Sequence, residues 1–342
     1  MKIRVGILTA PKIELKHNDD GTTTLKNVRI GIGFHWDRHE DQVFEGRIEV
    51  INKVQGDKVQ STKLYTAVNT IDIEDYLTSV ISSEMATTAP LELLKAHAVI
   101  SRSWAVRAIG HTDHVGYDVC ADDHCQRYEG ILRRSERAIQ AVRATAHEVL
   151  TFDGQVCDCR YHKCCGGKTE VFETCWDSEQ AYPYLASVEC PYCGQARPSD
   201  SLNDYDLETK DYHDWAVRYS RDEISKIIRD KSGLDFGQIQ HLIPISRGKS
   251  GRIDKLEIVG TKRREIIGKE LKIRQWLSPK CLYSSWFDVI EEADMFTFNG
   301  HGWGHGVGLC QIGAAVMAQQ GYNYHEILNH YYPGAELQKL ED

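Results

Sequence analysis

Residues 71–110, IDIEDYLTSVISSEMATTAPLELLKAHAVISRSWAVRAIG, decide the fold, because two helical patterns meet there around one carboxylate. Ile73, Tyr76, Leu77, Val80 and Ile81 recur at i, i+3, i+4, i+7 and i+8, an apolar stripe at helical period, and Asp72 stands where an N-cap belongs. This helix is expected to end near Ser82-Ser83-Glu84. Pro90 opens a second helix in its first turn, where a missing N–H costs nothing, and Leu91, Leu94, Ala98, Ser101 and Ala105 mark its buried face. Lys95 and Arg102 lie almost two turns apart on that helix. Both cations are expected to project the same way, towards an anionic or polar ligand.

A glutamate is almost never fully buried, so the ordinary reading of Glu84 is a surface carboxylate at a helix end. Here Met85 and the small run Ala86-Thr87-Thr88-Ala89 suit a tight connection between the helices. Held against apolar neighbours in that connection, the carboxyl would be harder to ionise and could donate a proton as a general acid.

Outward from this pair, composition sets the class. The chain has 342 residues, 41% hydrophobic, enough for one large or two modest globular domains. A net charge of −9 argues against nucleic acid or an anionic membrane as the main partner. No apolar run approaches the ~18 residues needed to span a bilayer, and Met1-Lys2-Ile3-Arg4 enters a strand-like alternation without a signal-peptide core. Eleven cysteines cannot all pair, and several stand too close in sequence to pair with each other, so metal ligation fits some of them better.

Residues 1–70 alternate apolar and polar positions between turn signals such as Asn18-Asp19-Asp20-Gly21 and read as a strand-rich region. His35 and His39 around Trp36 read as ordinary surface or core residues. In residues 111–130, His114, Cys120 and Cys125 have the residue types and short spacing of a zinc site, with His111, His124 or a water as a fourth ligand. A Cys120–Cys125 disulfide or two free thiols are the alternatives. RRSERAIQAVRATAHEVL reads as a helix, and Asp153-Gly154 as a hairpin turn. Cys190-Pro-Tyr-Cys193 is a knuckle without a second pair at ribbon spacing. Cys157, Cys159, Cys164, Cys165 and Cys175 could complete a site in space, but a structural clamp for the loop from Pro183 to Pro198 is preferred. Residues 200–290 read as an inserted scaffold, with a helix at SRDEISKIIRDKSG and a strand at IDKLEIVG. In GHGWGHGVG the glycines leave little side chain beyond His301, Trp303, His305 and Val307, so backbone could approach a ligand closely and Trp303 could carry a sugar ring. Helices at Gln311–Gln320 and YNYHEILNHYY follow.

The runs YLTSVISSEM and LELLKAHAVISRSWA, and the closing GHGWGHGVGLCQIGAAVMAQQGYNYHEILNHYYPGAEL, resemble the signature of the family of stage II sporulation protein D and the amidase enhancer LytB. QRYEG resembles that family's Gln-x-Tyr-x-Gly segment. YHKCCGG resembles its Tyr-His-Ser-x-x-Gly-Gly segment, with cysteines at 164 and 165 in place of small polar residues. The resemblance implies a lytic transglycosylase that cuts peptide-stripped peptidoglycan glycan strands, with Glu84 as the acid. It also implies zinc at the matching His-x5-Cys segment of His114 and Cys120. Lys95, Arg102, Gln126, Tyr161, His162, His301, Trp303 and His305 are then expected along a glycan groove shared with Glu84. Action outside the cytoplasmic membrane is expected from that substrate, although the chain as printed carries no export address. The rivals are a non-catalytic glycan-binding enhancer of a cell-wall amidase and a zinc hydrolase built on the His114, Cys120 and Cys125 cluster.

The fold expected is α+β: a strand-rich region over residues 1–70, a core over 71–199 holding the helix pair, the scaffold 200–290, and 291–342 completing the core.

Overall fold

A computed structural model describes residues 1–32, 37–53, 63–86, 88–111, 114–178, 180–195 and 212–341. His35 and Trp36, Thr87 of the interhelix run, and residues 196–211, where the knuckle loop ends and the scaffold segment begins, lie outside the described residues. The fold is α+β, in two compact units: Met1–Cys159 with Glu336–Asp342, and Arg160–Ala335.

In the first unit the alternation of the N-terminal sequence becomes strands β1 (Lys2–Ala10), β2 (Leu15–His17), β3 (Thr23–Ile30), β4 (Arg38–Phe44), β5 (Arg47–Lys53) and β6 (Leu64–Asp72). A four-stranded sheet runs β5-β6-β1-β7, where β7 (Val119–Cys120) lies parallel to β1, and β2, β3 and β4 form a second sheet. Helix α1 (Ile73–Glu84) leaves β6 directly, because Asp72 is both the last strand residue and the N-cap, its Oδ1 accepting the Glu74 N–H at 2.9 Å. The stripe from Ile73 to Ile81 is buried as its period requires.

Pro90 stands just before α2 (Leu91–Ala108) rather than inside its first turn. This helix is buried around most of its circumference, with Leu94, Ala98, Ile100 and Ala105 at 1% exposure or less. Its polar residues must therefore find partners inside the unit. Ser103 Oγ donates to the Val99 carbonyl and accepts the Leu150 N–H, both at 2.8 Å.

The next helix, α3 (Glu136–Ala144), is capped by Ser135 and is shorter than its sequence pattern, because Glu148-Val149-Leu150 enter strand β8 (Glu148–Phe152). Asp153 and Gly154, both at positive φ (49° and 74°), turn β8 into β9 (Gln155–Val156), the backbone a type I′ hairpin demands. On the other edge of β8 lies the strand Glu336–Lys339.

The second unit contains β10 (Tyr161–His162), α4 (Phe172–Cys175), β11 (Asp214–Ser220), α5 (Arg221–Ser232), β12 (Ile239–Arg247), β13 (Ile253–Gly260), β14 (Arg264–Ile267), α6 (Glu270–Trp276), β15 (Phe287–Glu291), β16 (Met295–His301), β17 (Leu309–Cys310), α7 (Gln311–Gln319) and α8 (Tyr324–Tyr331). Sheets β12-β13-β14 and β11-β16-β15 share a core that includes Ile228, Phe236, Leu256, Phe287 and Phe298. A capping box at Ser220 and Glu223 starts α5, and Gly233 in the left-handed region ends it.

The two compact units divide the chain differently from the boundaries expected from sequence. The division falls at Cys159/Arg160, not near 199, and residues 200–290 are no separate body. The cause is pairing: β10 lies parallel to β17, Cys164 and Trp303 exchange backbone hydrogen bonds at 3.0 and 2.8 Å, and β16 of the β11-β16-β15 sheet ends in His301 itself. Among the described residues no helix is long and apolar enough to cross a membrane.

Candidate functional site

Glu84 is the last residue of α1 and is half-buried. Its Oε1 accepts the backbone N–H of Arg127 at 3.1 Å. The Arg127 guanidinium donates to the Ser83 carbonyl at 3.4 Å and to Asp123 Oδ1 at 3.0 Å. Burial opposes its charge, yet Glu84 foremost among its acidic neighbours, then Asp123, push its pKa above the ordinary arginine value. Where the sequence suggested apolar surroundings, the carboxylate thus has a donor and a cation beside it. Sequence reasoning passed over Arg127. It occupies the variable position of Gln-x-Tyr-x-Gly, and the group it presents to Glu84 is a backbone N–H, which every residue but proline carries.

Two of the expected ligand-binding residues in this unit have structural duties instead. Arg102 is 0% exposed; its Nε and one terminal nitrogen grip the Glu74 carboxylate at 2.9 and 2.6 Å, and its other nitrogen donates to the Glu148 carbonyl at 2.9 Å. It ties α2 to α1 and β8. Gln126, 1% exposed, accepts from the Tyr76 hydroxyl at 3.0 Å and donates to the Ser101 carbonyl at 3.4 Å. Lys95 remains partly exposed, with its ammonium on Glu92 at 2.6 Å.

One residue beyond Glu84's partner Arg127, the segment closes on itself, Tyr128 N–H donating to the Ala121 carbonyl at 3.1 Å. The same loop brings together His114, Cys120, His124 and Cys125, whose ligand atoms all lie within 4.8 Å of one another. His114 Nε2 is 3.2 Å from Cys125 Sγ, and His124 Nδ1 is 3.5 Å from Cys125 Sγ and 3.9 Å from Cys120 Sγ. Zinc bonds of about 2.0–2.3 Å in tetrahedral array imply ligand separations of about 3.3–3.8 Å, so this donor set fits the ion. Cys125 foremost, and His124, draw the Cys120 thiol down to about 4, towards the thiolate a metal binds. Of the fourth ligands the sequence left open, the structure supplies His124. Cys120 and His124 also line a cavity of ≈ 720 Å³ whose wall carries Lys12, Lys26 and Arg29.

In the second unit the glycine-rich motif does not gather its histidines at one point. His301 Nδ1 meets Asp214 Oδ1 at 2.6 Å, and Asp214 Oδ2 meets His213 Nδ1 at 2.6 Å. Trp303 is partly exposed and packs edge-on against Tyr212 and Tyr283, with centroids 4.1 and 4.9 Å away. His305 accepts the Val307 N–H at Nδ1 (3.0 Å), which puts its proton on Nε2, and lies 4.9 Å from Trp176 and 5.7 Å from His162. Burial pushes both of these imidazoles down, His162 to about 3 with help from Arg252, so both are neutral. His162, expected to touch substrate, is 4% exposed and donates from Nδ1 to the Val307 carbonyl at 3.1 Å. Its strand neighbour Tyr161 is the more open of the two.

The glycines answer to the chain's own packing. Gly302, at φ 74°, would place a Cβ 2.7 Å from the Cys164 carbonyl oxygen, and a Cβ at Gly306 would run into the Arg252 guanidinium.

Known proteins share much of this sequence. A sequence family described as "Stage II sporulation protein" matches residues 60–152, and a domain of unknown function (DUF8618) matches 168–308. An uncharacterized protein of Brachyspira hyodysenteriae is 30% identical over 272 residues, covering 79% of this chain and 67% of that protein. Stage II sporulation protein D of Bacillus subtilis is 25% identical over 294 residues, 80% of this chain and 77% of its own. The amidase enhancer of Bacillus subtilis is 27% identical over 300 residues, 76% of this chain but 40% of its own length. The first family segment holds Glu84, Arg127 and the His/Cys cluster, and the alignments to relatives run through most of both units. The chain belongs to the family of stage II sporulation protein D and the amidase enhancer.

Proposed function

We propose that the protein acts on the cell wall, outside the cytoplasmic membrane, as a lytic transglycosylase on peptide-stripped peptidoglycan glycan strands. The observation that carries this reading is the Glu84 carboxylate, half-buried at the end of α1 and joined to the Arg127 N–H inside the segment that matches the sporulation family. Protonated Glu84 donates to the glycosidic oxygen of a MurNAc-GlcNAc bond. The carboxylate left behind is stabilised by the Arg127 N–H and guanidinium. It then takes the proton of the muramyl C6 hydroxyl as that oxygen attacks C1, leaving a 1,6-anhydro end. One acid/base suffices, and no second carboxylate is needed as a nucleophile.

In the first unit Lys95 remains a side chain proposed to contact the strand beside Glu84; in the second, Tyr161, His301, Trp303 and His305 remain proposed glycan contacts of their own, whereas Arg102, Gln126 and His162 are held by the fold. Zinc on His114, Cys120, His124 and Cys125 would have no open coordination position, which makes it a structural ion and weighs against the zinc-hydrolase reading. Its effect would be to fix the loop that presents Arg127 to Glu84.

The test is digestion of purified glycan strands, with and without stem peptides, by wild type and Glu84→Gln. Wild type is expected to yield anhydro-muramyl ends, and the variant to bind strands while cleaving ~10²–10⁴-fold more slowly. A wild type that binds but yields no such ends would favour a non-catalytic, glycan-binding role beside an amidase; one relative is named an amidase enhancer. Reducing ends would make water the nucleophile. Cleavage by Glu84→Gln at the wild-type rate would remove Glu84 from the mechanism.

A further inference from the structure

Four cysteines of the second unit, which no step of the proposed reaction uses, lie together in its interior. Cys165 follows β10, Cys190 and Cys193 form the knuckle after the short Pro183–Leu185 turn of helix, and Cys310 ends β17 at the start of α7. All four are buried, none above 2% exposure, and none is in a disulfide. Their Sγ atoms lie within 4.8 Å of one another, Cys165 and Cys193 at 3.4 Å.

Four thiols packed this closely make poor use of an apolar interior, because S–H is a weak donor and sulfur a weak acceptor. Polar groups nevertheless converge on the sulfurs. Cys310 Sγ receives the Cys165 N–H at 3.2 Å and the Gly313 N–H at 3.3 Å, and the Tyr331 hydroxyl lies 3.2 Å from Cys190 Sγ. A Cβ on Gly313 would stand 2.6 Å from Cys190 Sγ, so glycine is what lets α7 approach the sulfurs. The fully buried Arg252 donates to the Cys165 carbonyl at 3.2 Å, which places a positive charge beside the group.

We propose that Cys165, Cys190, Cys193 and Cys310 bind a single zinc ion as a structural four-thiolate site. Zinc–sulfur bonds of about 2.3 Å in a tetrahedron set sulfur–sulfur edges of about 3.8 Å, within the spread of this group. A four-iron cluster gives each thiolate its own iron and would hold the sulfurs farther apart. Binding exchanges thiol protons for one Zn²⁺, and no electron changes hands.

With four protein ligands the ion has no open position, so its role is to pin three distant segments together. Those segments carry the β10–β17 pair and the Cys164 and Cys165 carbonyls on which Gly302 packs. The ion thereby sets the backbone of the glycine-rich motif. This inference stands on the sulfur geometry alone and does not depend on the transglycosylase reading.

The experiment uses the full chain carrying Cys120→Ser and Cys125→Ser, which removes the thiolates of the other cluster, purified without added metal. Metal analysis is expected to give one zinc per chain, and zinc-edge X-ray absorption a shell of four sulfurs at about 2.3 Å. Adding Cys190→Ser and Cys310→Ser is expected to take the zinc to zero, while adding Cys281→Ser, a buried cysteine outside the group, keeps it at one. The proposal is overturned by less than about a tenth of a zinc per chain in the first protein, by a Cys165–Cys193 disulfide on mass spectrometry, by iron in place of zinc, or by a nitrogen and oxygen shell. The absorption measurement needs none of the second-unit variants, so their failure to fold would not shield the idea.

Discussion

With its guanidinium out of contact with solvent, Arg102 is neutralised by Glu74 and satisfied by a backbone carbonyl, which is the condition for burying a cation at all. Arg102→Met keeps much of the stem volume and removes the charge and every hydrogen bond the guanidinium makes. Breaking a buried pair costs roughly 3–5 kcal/mol, and with Glu74 at 23% exposure the lower end of that range is expected by denaturant unfolding. Cleavage per folded molecule should be unchanged; unaltered stability with weakened strand binding would instead make Arg102 a ligand contact. His97, also 0% exposed, is held neutral by burial, its pKa lowered to about 3 from 6.5. Between those values the unfolded chain binds a proton that the native one does not. Stability is therefore complete above about pH 6.5 and falls by about 1.4 kcal/mol per pH unit below it for this group. His97→Asn should flatten the dependence of unfolding free energy on pH by that slope between about pH 4 and 6. Parallel curves for the two proteins would mean that His97 is charged in the fold.

Elements were legible in the sequence where one face alone meets the core. The α1 stripe and its Asp72 cap, the Asp153-Gly154 hairpin and the Ser220 to Gly233 helix all signal locally, through period, capping and positive φ. On α2 the same reasoning failed for Arg102. A helix buried nearly all round has no solvent face, so helical spacing cannot say whether a cation on it meets a ligand or a carboxylate of the next helix. The pattern over 133–150 ran past the end of α3 because apolar Val149 and Leu150 suit a buried strand as well as a helix. The site divides the same way. The place of Glu84 at the end of α1 and the clustering of His114, Cys120 and Cys125 were readable from short-range motifs. The Arg127 N–H, the role of the glycines and the meeting of Cys165, Cys190, Cys193 and Cys310 depend on contacts between segments far apart in sequence, which no local pattern encodes.

At the scale of the whole molecule the chain leaves its first unit at Cys159 and returns to it at Glu336, so the first unit is completed by the last residues of the sequence. The returning strand pairs Glu336 with Thr151, Leu337 with Leu150, Gln338 with Val149 and Lys339 with Glu148, and Leu340 N–H donates to the His147 carbonyl at 2.9 Å. What it covers is not a spare edge: Val149 and Leu150 are buried, and β8 receives Arg102 at the Glu148 carbonyl and Ser103 at the Leu150 N–H. Each backbone hydrogen bond contributes roughly 0.5–1.5 kcal/mol net, and an uncovered edge leaves its donors and acceptors to water. Truncation after Ala335 should therefore lower the denaturant midpoint of the first unit by an amount equivalent to several such bonds. Amide exchange should speed up across Val149–Phe152 and spread to the α2 residues docked on β8, while β13 in the second unit exchanges as before. If the β8 amides of the truncated protein stay as protected as those of the full chain, the returning strand is dispensable, and the first unit is continuous from Met1 to Cys159 in energy as well as in sequence.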